Sequence, residues 1–141
     1  MRVQVLNGIN LDMLGRRNPE HYGTITLPEL EGKIGEWAHK LGLRVVCWQT
    51  NSEREYVERL HEAIDGADGV IVNPGAWTHY SWAIHDALEL LEVPIVEVHL
   101  SDVQTRENWR RVSVVSDLAV LTISGKGADG YREALEFLSK R

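Results

Sequence analysis

Short apolar runs alternating with stretches of helical spacing predict an α/β protein built on a parallel sheet. Three features carry this expectation. Five apolar runs occur in the 141-residue chain, and each is followed by residues spaced three and four apart. One run, Gly69-Val70-Ile71-Val72, is apolar throughout, as a strand covered on both faces must be. Strands joined in this way by helices lie parallel, with right-handed crossovers. With 43% hydrophobic residues the chain can bury a real core, and its length suits one domain, residues 1–141.

The first strand is Val3-Gln4-Val5-Leu6, stopped by Asn7-Gly8. Leu14 to Thr26 is a long polar loop, and such loops between strand and helix are uncommon unless functional. Leu27, Leu30, Ile34, Trp37 and Leu41 mark one helical face, opened by a Thr26/Glu29 capping box and ended by Gly42. The second strand runs from Leu43 to Trp48. Ser52 to Glu55 reads as another capping box, ahead of the stripe Tyr56, Val57, Leu60 and Ile64. After the third strand, Thr78 and Ser81 are candidate caps of a helix that starts near Thr78 and carries Ala83, Ile84, Ala87, Leu88 and Leu91. Pro94 opens a fourth strand through Leu100. Arg106 to Arg111 reads as a short helix, Leu118 to Ile123 as the fifth strand, and the last helix carries Tyr131, Ala134, Leu135 and Leu138. Five strands in one small domain predict the flavodoxin-like order 2-1-3-4-5, a three-layer sandwich with helices on both faces.

Composition narrows the function. A net charge of −6 and the lack of any Lys/Arg block disfavour nucleic acid as a partner. The single cysteine, Cys47, excludes an internal disulfide and any multi-thiolate metal site. Met1 leads straight into Arg2-Val3-Gln4-Val5 without a signal-peptide pattern, and no apolar run approaches the roughly 20 residues of a membrane span. A cytoplasmic protein with no membrane partner is expected. Five tryptophans against one phenylalanine predict packing in the core and at subunit contacts. Gly125-Lys126-Gly127-Ala128-Asp129-Gly130 matches GxGxxG, but it follows the last strand, so it reads as a turn into the last helix.

Ligands of open parallel sheets bind beyond the carboxyl ends of the strands. There this sequence offers Asn7 and Asn10, Gln49 to Asn51, Asn73, Ser101 and Ser124. Polar residues also simply begin loops, which suffices for Thr50 and Ser124. It explains Glu97 and His99 poorly, because they lie inside a strand and share a face. A carboxylate beside an imidazole orients the ring; a hydrogen-bonded core histidine is the alternative. His79 and Asp86 stand seven apart on one face of the predicted helix, His79 in its first turn, where capping is its alternative use. His85 points elsewhere on that helix and reads as a surface residue. The long loop reads as a lid carrying Arg17 and Tyr22. A tyrosine is a poor base at neutral pH, and a guanidinium beside it favours the phenolate. Arg106 and Arg110, four apart, can hold an anion or hydroxyl groups, or can face solvent.

Taken in order, the segments resemble the type II 3-dehydroquinate dehydratases across nearly the whole chain. They are Leu6-Asn7-Gly8-Ile9-Asn10-Leu11, Leu14-Gly15, Pro19 to Gly23, Gln49-Thr50-Asn51, Asn73 to His79, Ile84 to Leu88, Val96 to Ser101, Arg106-Glu107 with Arg110, and Gly127 to Tyr131. Ile9, Asp12, Ser52, Trp77 and Val112 depart from the family's usual proline, asparagine, histidine, tyrosine and histidine. The resemblance implies a flavodoxin-like fold and dehydration of 3-dehydroquinate to 3-dehydroshikimate in the shikimate pathway. It implies an anti elimination through an enolate, with no metal, no cofactor and no lysine Schiff base. Tyr22 would be the base, Arg17 its partner and His99 the acid, with Glu97 supporting His99. Asn10 and Asn73 would sit near the ring, Asn73 acting on the enolate through a water. Leu100 and Ser101 would cradle the substrate carboxylate. His79, Arg110 and Asp86 would hold the ring hydroxyls, Asp86 from a neighbouring subunit, and Arg106 would be a second lid-side arginine. The resemblance also implies homotrimers grouped into a dodecamer.

The same fold serves phosphoacceptor receivers and flavin carriers. A receiver wants acidic residues after strands one and three, where Asn7, Asn10 and Asn73 stand. A flavin carrier wants a hydroxyl- and glycine-rich phosphate loop after strand one, and that is absent.

Overall fold

A computed structural model describes residues 1–141. Strand β1 (Arg2–Asn7) pairs in parallel with β2 (Arg44–Gln49) and β3 (Gly69–Asn73), and β4 (Ile95–His99) and β5 (Leu121–Ser124) extend the sheet beyond β3. The order is β2-β1-β3-β4-β5, as the alternation predicts. A one-turn helix, α1 (Pro19–Tyr22), forms within the long loop; the other helices are α2 (Leu27–Lys40), α3 (Glu53–Gly66), α4 (Trp82–Leu88) and α5 (Asp129–Ser139). None is long and apolar enough to cross a membrane.

Side chains alternate across a strand, so the sheet builds two cores. Val3, Val5, Ile71, Val96 and Val98 pack with Leu30 and Ile34 of α2 and with Tyr131, Leu135 and Leu138 of α5. Leu6, Val70, Val72 and Ile95 pack with Tyr56 and Leu60 of α3 and with Ile84 and Leu88 of α4. β3 and β4 are buried along their whole length. Each buried large aliphatic side chain contributes about 1.5–3 kcal/mol, so both layers are needed to offset chain entropy.

Two glycines let the strand ends meet. A Cβ on Gly8 would stand 2.4 Å from the Pro74 carbonyl oxygen, and one on Gly75, which has φ +65°, would stand 2.6 Å from the Ile9 oxygen. Only glycine fits this close approach of the β1 and β3 exits.

Several local expectations need correction. The Thr26/Glu29 capping box forms in full. At Ser52 only half forms: the Ser52 hydroxyl accepts from Glu55 N, while the Glu55 carboxylate accepts from Thr50 Oγ1 at 2.6 Å. Ala63 takes the buried place predicted for Ile64, which is exposed. Helix α4 starts at Trp82, capped by Ser81; Thr78 and His79 belong to a separate 3-10 segment, Gly75–His79. Thr78 does not cap because its hydroxyl is used by Glu97. Arg106 to Arg111 is not one helix but lies around two 3-10 turns, Val103–Thr105 and Asn108–Arg111, with Arg106 extended between them. The fifth strand begins only at Leu121, after a 3-10 turn at Ser116–Leu118.

Candidate active site

The carboxyl ends of β3 and β4 open into a small, partly enclosed cavity. Asn73, His79, His99, Leu100 and Ser101 line it from the strand exits, Arg17 and Tyr22 from the long loop, and Arg110 from the 3-10 turn.

Arg17 Nη2 donates to Tyr22 Oη at 2.7 Å, with its guanidinium carbon 3.7 Å from the ring centre. Arg106 Nη1 donates to the same oxygen and reaches Ser101 Oγ at 3.3 Å. Two cations converging on one phenol oxygen stabilise negative charge there. The other tyrosines are different. Burial pushes the phenols of Tyr56 and Tyr131 well above their usual pKa, and each donates to a fixed acceptor, the Leu6 carbonyl and Asn7 Oδ1. Tyr80 is exposed.

The arginines leave positive charge unspent. Arg110 pairs with Glu107 at 2.6 Å. Arg17 instead has Tyr22 as its partner, and burial, with Arg110 and Arg106 beside it, pulls its guanidinium below the usual pKa. Arg106 Nε is buried without a partner. Such a cavity suits an anionic ligand.

On the β4 wall, Glu97 is fully buried. Its carboxylate accepts from Thr78 Oγ1 at 2.7 Å, Ser116 Oγ at 2.6 Å, Ser113 Oγ at 3.0 Å and His99 Nε2 at 2.6 Å. Burial alone would raise its pKa, but the hydrogen bonds from His99, Ser116 and Thr78 outweigh it and hold the carboxyl at about 2. An ionised carboxylate can only accept, so His99 donates to it from Nε2, and Nδ1 is the ring nitrogen left to carry a proton for the reaction. His79 stacks 6.5 Å from His99, and its Nδ1 donates to the Val112 carbonyl at 2.6 Å, leaving Nε2 unengaged. Burial lowers the His79 pKa, which keeps that ring neutral.

Asn73 is fixed by its neighbours. Its Oδ1 accepts from Gly75 N at 3.2 Å, and one Nδ2 hydrogen goes to Tyr131 Oη at 2.8 Å. The second amide hydrogen remains for the cavity that Asn73 lines. Leu100 and Ser101 are anchored from the GxGxxG turn, where Gly127 N and Gly125 N donate to their carbonyls at 3.1 and 3.0 Å.

Two predicted site residues lie apart. Asn10 is exposed at φ 68°, its N–H donating to Asn51 Oδ1 at 2.8 Å, and it lines no part of the cavity. Asp86 is on α4 with its side chain 82% exposed, also away from the cavity. The break between the 3-10 segment and α4 means that His79 and Asp86 do not share a helical face. Arg106 and Arg110 likewise share no helix, yet both come beside Arg17. Sequence reasoning missed the supporting roles of Tyr131, Thr78, Ser113 and Ser116. For Tyr131 the signal was present, because a tyrosine in a fully buried helical stripe must find a partner for its hydroxyl.

No lysine lines the cavity, and Lys126 is held by Glu133 at 2.9 Å. Burial, helped by Glu31, pushes the Cys47 thiol up to about 12, which leaves it no nucleophile. The departures at Val112 and Asp12 are absorbed locally: Val112 serves His79 through its backbone, and Asp12 accepts from Asn51 Nδ2 at 3.0 Å.

The family described as dehydroquinase class II matches residues 1–139. A 3-dehydroquinate dehydratase of Pelobacter propionicus is 49% identical over 135 residues, covering 95% of this chain and 91% of that protein. One from Salinispora tropica is 51% identical over 141 residues, covering 100% of this chain and 99% of that one. Among solved structures, a type II dehydroquinase from Propionibacterium acnes superposes with a TM-score of 0.96 at 44% identity, covering 99% of this chain and 97% of that one.

Proposed function

The chain belongs to the dehydroquinase class II family and is a hydro-lyase acting on 3-dehydroquinate; we propose that it removes water by anti elimination through an enolate, with no metal and no Schiff base. Tyr22, as the phenolate, takes the proton beside the ketone. The electron pair of that C–H bond moves onto the ketone oxygen, and a water held by Asn73 stabilises the enolate. Collapse of the enolate expels the hydroxyl group, which His99 Nδ1 protonates as it leaves. The products are 3-dehydroshikimate and water. Tyr22 has gained a proton and His99 has lost one, and solvent exchange restores both.

The observation that carries this reading is a tyrosine oxygen gripped by Arg17 and Arg106 in the cavity that also holds His99. General acid and base each contribute typically 10²–10⁴-fold, and a closed, dry site strengthens the arginine effect. Leu100, Ser101 and Arg106 would cradle the substrate carboxylate, and His79 and Arg110 the ring hydroxyls. Asn10 would act near the ring once the lid adjusts. Asp86 would reach the site of a neighbouring subunit, in trimers grouped into a dodecamer. The whole chain would act as one catalytic domain in the cytoplasm, where Cys47 stays reduced. The test is the growth of enone absorbance when purified protein meets 3-dehydroquinate. Turnover that Tyr22→Phe abolishes supports the proposal; turnover that survives it overturns the assignment of the base.

A further inference from the structure

Asn7 ends β1 and Asn73 ends β3, and the two are register partners across the sheet. Both side chains point to the α5 face, where Val3, Val5 and Ile71 build an apolar core. Asn7 is fully buried there, and its Nδ2 finds no hydrogen-bond partner. A buried amide with an idle donor lowers stability. The strand ends do not need this side chain: the Asn7 carbonyl accepts from Thr50 N at 3.1 Å, and Gly8 N donates to the Asn73 carbonyl at 2.7 Å. The one bond the Asn7 side chain makes is to accept, at Oδ1, the hydroxyl proton of Tyr131.

We propose that Asn7 is a positioning residue for Asn73: by taking the Tyr131 proton it fixes which edge of the Asn73 amide faces the cavity. This rests on the reading of Asn73 as the group that acts on the enolate through a water. The chain of hydrogen bonds has one consistent direction. Gly75 N–H can only donate, so it holds Asn73 Oδ1 as the acceptor at 3.2 Å. Asn73 Nδ2 then donates to Tyr131 Oη at 2.8 Å, and the single phenol proton goes on to Asn7 at 2.7 Å. Burial keeps that proton on the phenol, and Tyr131 Oη has no third hydrogen-bond partner. Without an oxygen at position 7, the proton competes with Gly75 N–H for Asn73 Oδ1. An amide turned over to receive it presents its oxygen to the cavity and withdraws the N–H that the enolate water needs.

The test is a kinetic cycle on the whole protein with 3-dehydroquinate. Asn7→Leu keeps the size of the side chain and removes the acceptor. Its kcat should fall by at least about 10-fold, toward the roughly 10²–10³-fold that loss of an oxyanion donor costs, with KM nearly constant. Asn7→Ala removes the same oxygen without adding bulk and should behave alike. Asn7→Asp leaves an oxygen in place, and burial keeps the acid neutral, so its kcat should stay close to wild type. In a Tyr131→Phe background there is no proton to place, so Asn7→Leu should lower kcat no further. Equal losses in the two backgrounds, a kcat untouched by Asn7→Leu, or one cut as deeply by Asn7→Asp would overturn the proposal. Asn73→Ala tells its failure from that of the reading beneath it. If that variant keeps its kcat, the enolate role falls and the proposal with it; if it loses kcat while Asn7→Leu does not, the positioning by Asn7 alone falls.

Discussion

Tyr131 Oη accepts from the Asn73 amide at 2.8 Å and donates to Asn7 Oδ1 at 2.7 Å. A helix at the end of the chain thus sets the angle of a side chain at the end of the third strand. Tyr131→Phe keeps the ring and removes this link, leaving buried amide groups unsatisfied at a cost of about 1–3 kcal/mol. Urea melts should show that loss. Because Asn73 is proposed to act on the enolate rather than on bound substrate, kcat should fall while KM stays nearly constant. A KM effect alone would mean that the network only shapes the cavity.

Tyr22→Phe should lower kcat by at least about 10²-fold with KM little changed, since the phenol oxygen is the proposed base and the ring remains to pack. His99→Ala should lower kcat by about 10²–10⁴-fold. Steady-state kinetics on the two variants check both assignments. A His99→Ala protein that loses stability but keeps its kcat would make His99 a core histidine.

The layers of the fold were legible because strand and helix periods differ, and a fully apolar run such as Gly69 to Val72 admits few other uses. Glu97 and His99 were legible because a buried strand rarely carries both. The hydroxyls around Glu97 were not, because Thr78, Ser113 and Ser116 come from separate turns whose approach is set by long-range packing. The start of α4 was misplaced for the same reason: Thr78 and Ser81 are equally good caps locally, and only the tertiary demand of Glu97 decides between them. His85 was misread because its burial depends on Trp82 and on Asp117, a residue far along the chain.

Glu97 makes the fold sensitive to acid. Its carboxyl is held at about 2 against an ordinary 4.5, so the folded state favours the ionised form. The stabilisation is fully present above about pH 4.5 and is lost as pH falls toward 2; integrated, it is on the order of 3 kcal/mol. Glu97→Gln should flatten the dependence of stability on pH in that window, read from urea midpoints at stepped pH. It should also lower kcat by releasing His99. An unchanged acid profile would show that other carboxylates dominate acid unfolding.

Dialysis against EDTA should leave turnover intact, and borohydride added with substrate should not inactivate the enzyme. The reason is positional: no lysine lines the cavity, and the one close trio of histidine and acid side chains, His85, Asp86 and Glu89, lies at the end of α4, outside it. A reduced substrate adduct on any lysine, found by mass spectrometry, would reverse the mechanistic class. Activity lost to EDTA and restored by metal would do the same.

Asp86→Ala should weaken both turnover and assembly. Within one chain Asp86 projects into solvent from α4, while His79, which faces the cavity, belongs to the preceding 3-10 segment. Around them lies unusual exposed apolar area: Tyr80 is 58% exposed, Trp82 62% and Trp109 49%, with Trp109 packed edge-on against His79 at 5.1 Å. Large aromatics flanking a site mouth are costly in water and suit a subunit contact. A closed ring of three copies would bury them and bring each Asp86 toward a neighbour's cavity, repeating one contact without a free edge. Sedimentation velocity beside kinetics measures both consequences. The expected wild-type species is a multiple of three chains, and the variant should dissociate toward smaller species as its kcat/KM falls. A fully active monomer, wild type or variant, would show that each chain completes its own site and that Asp86 serves only the surface of α4.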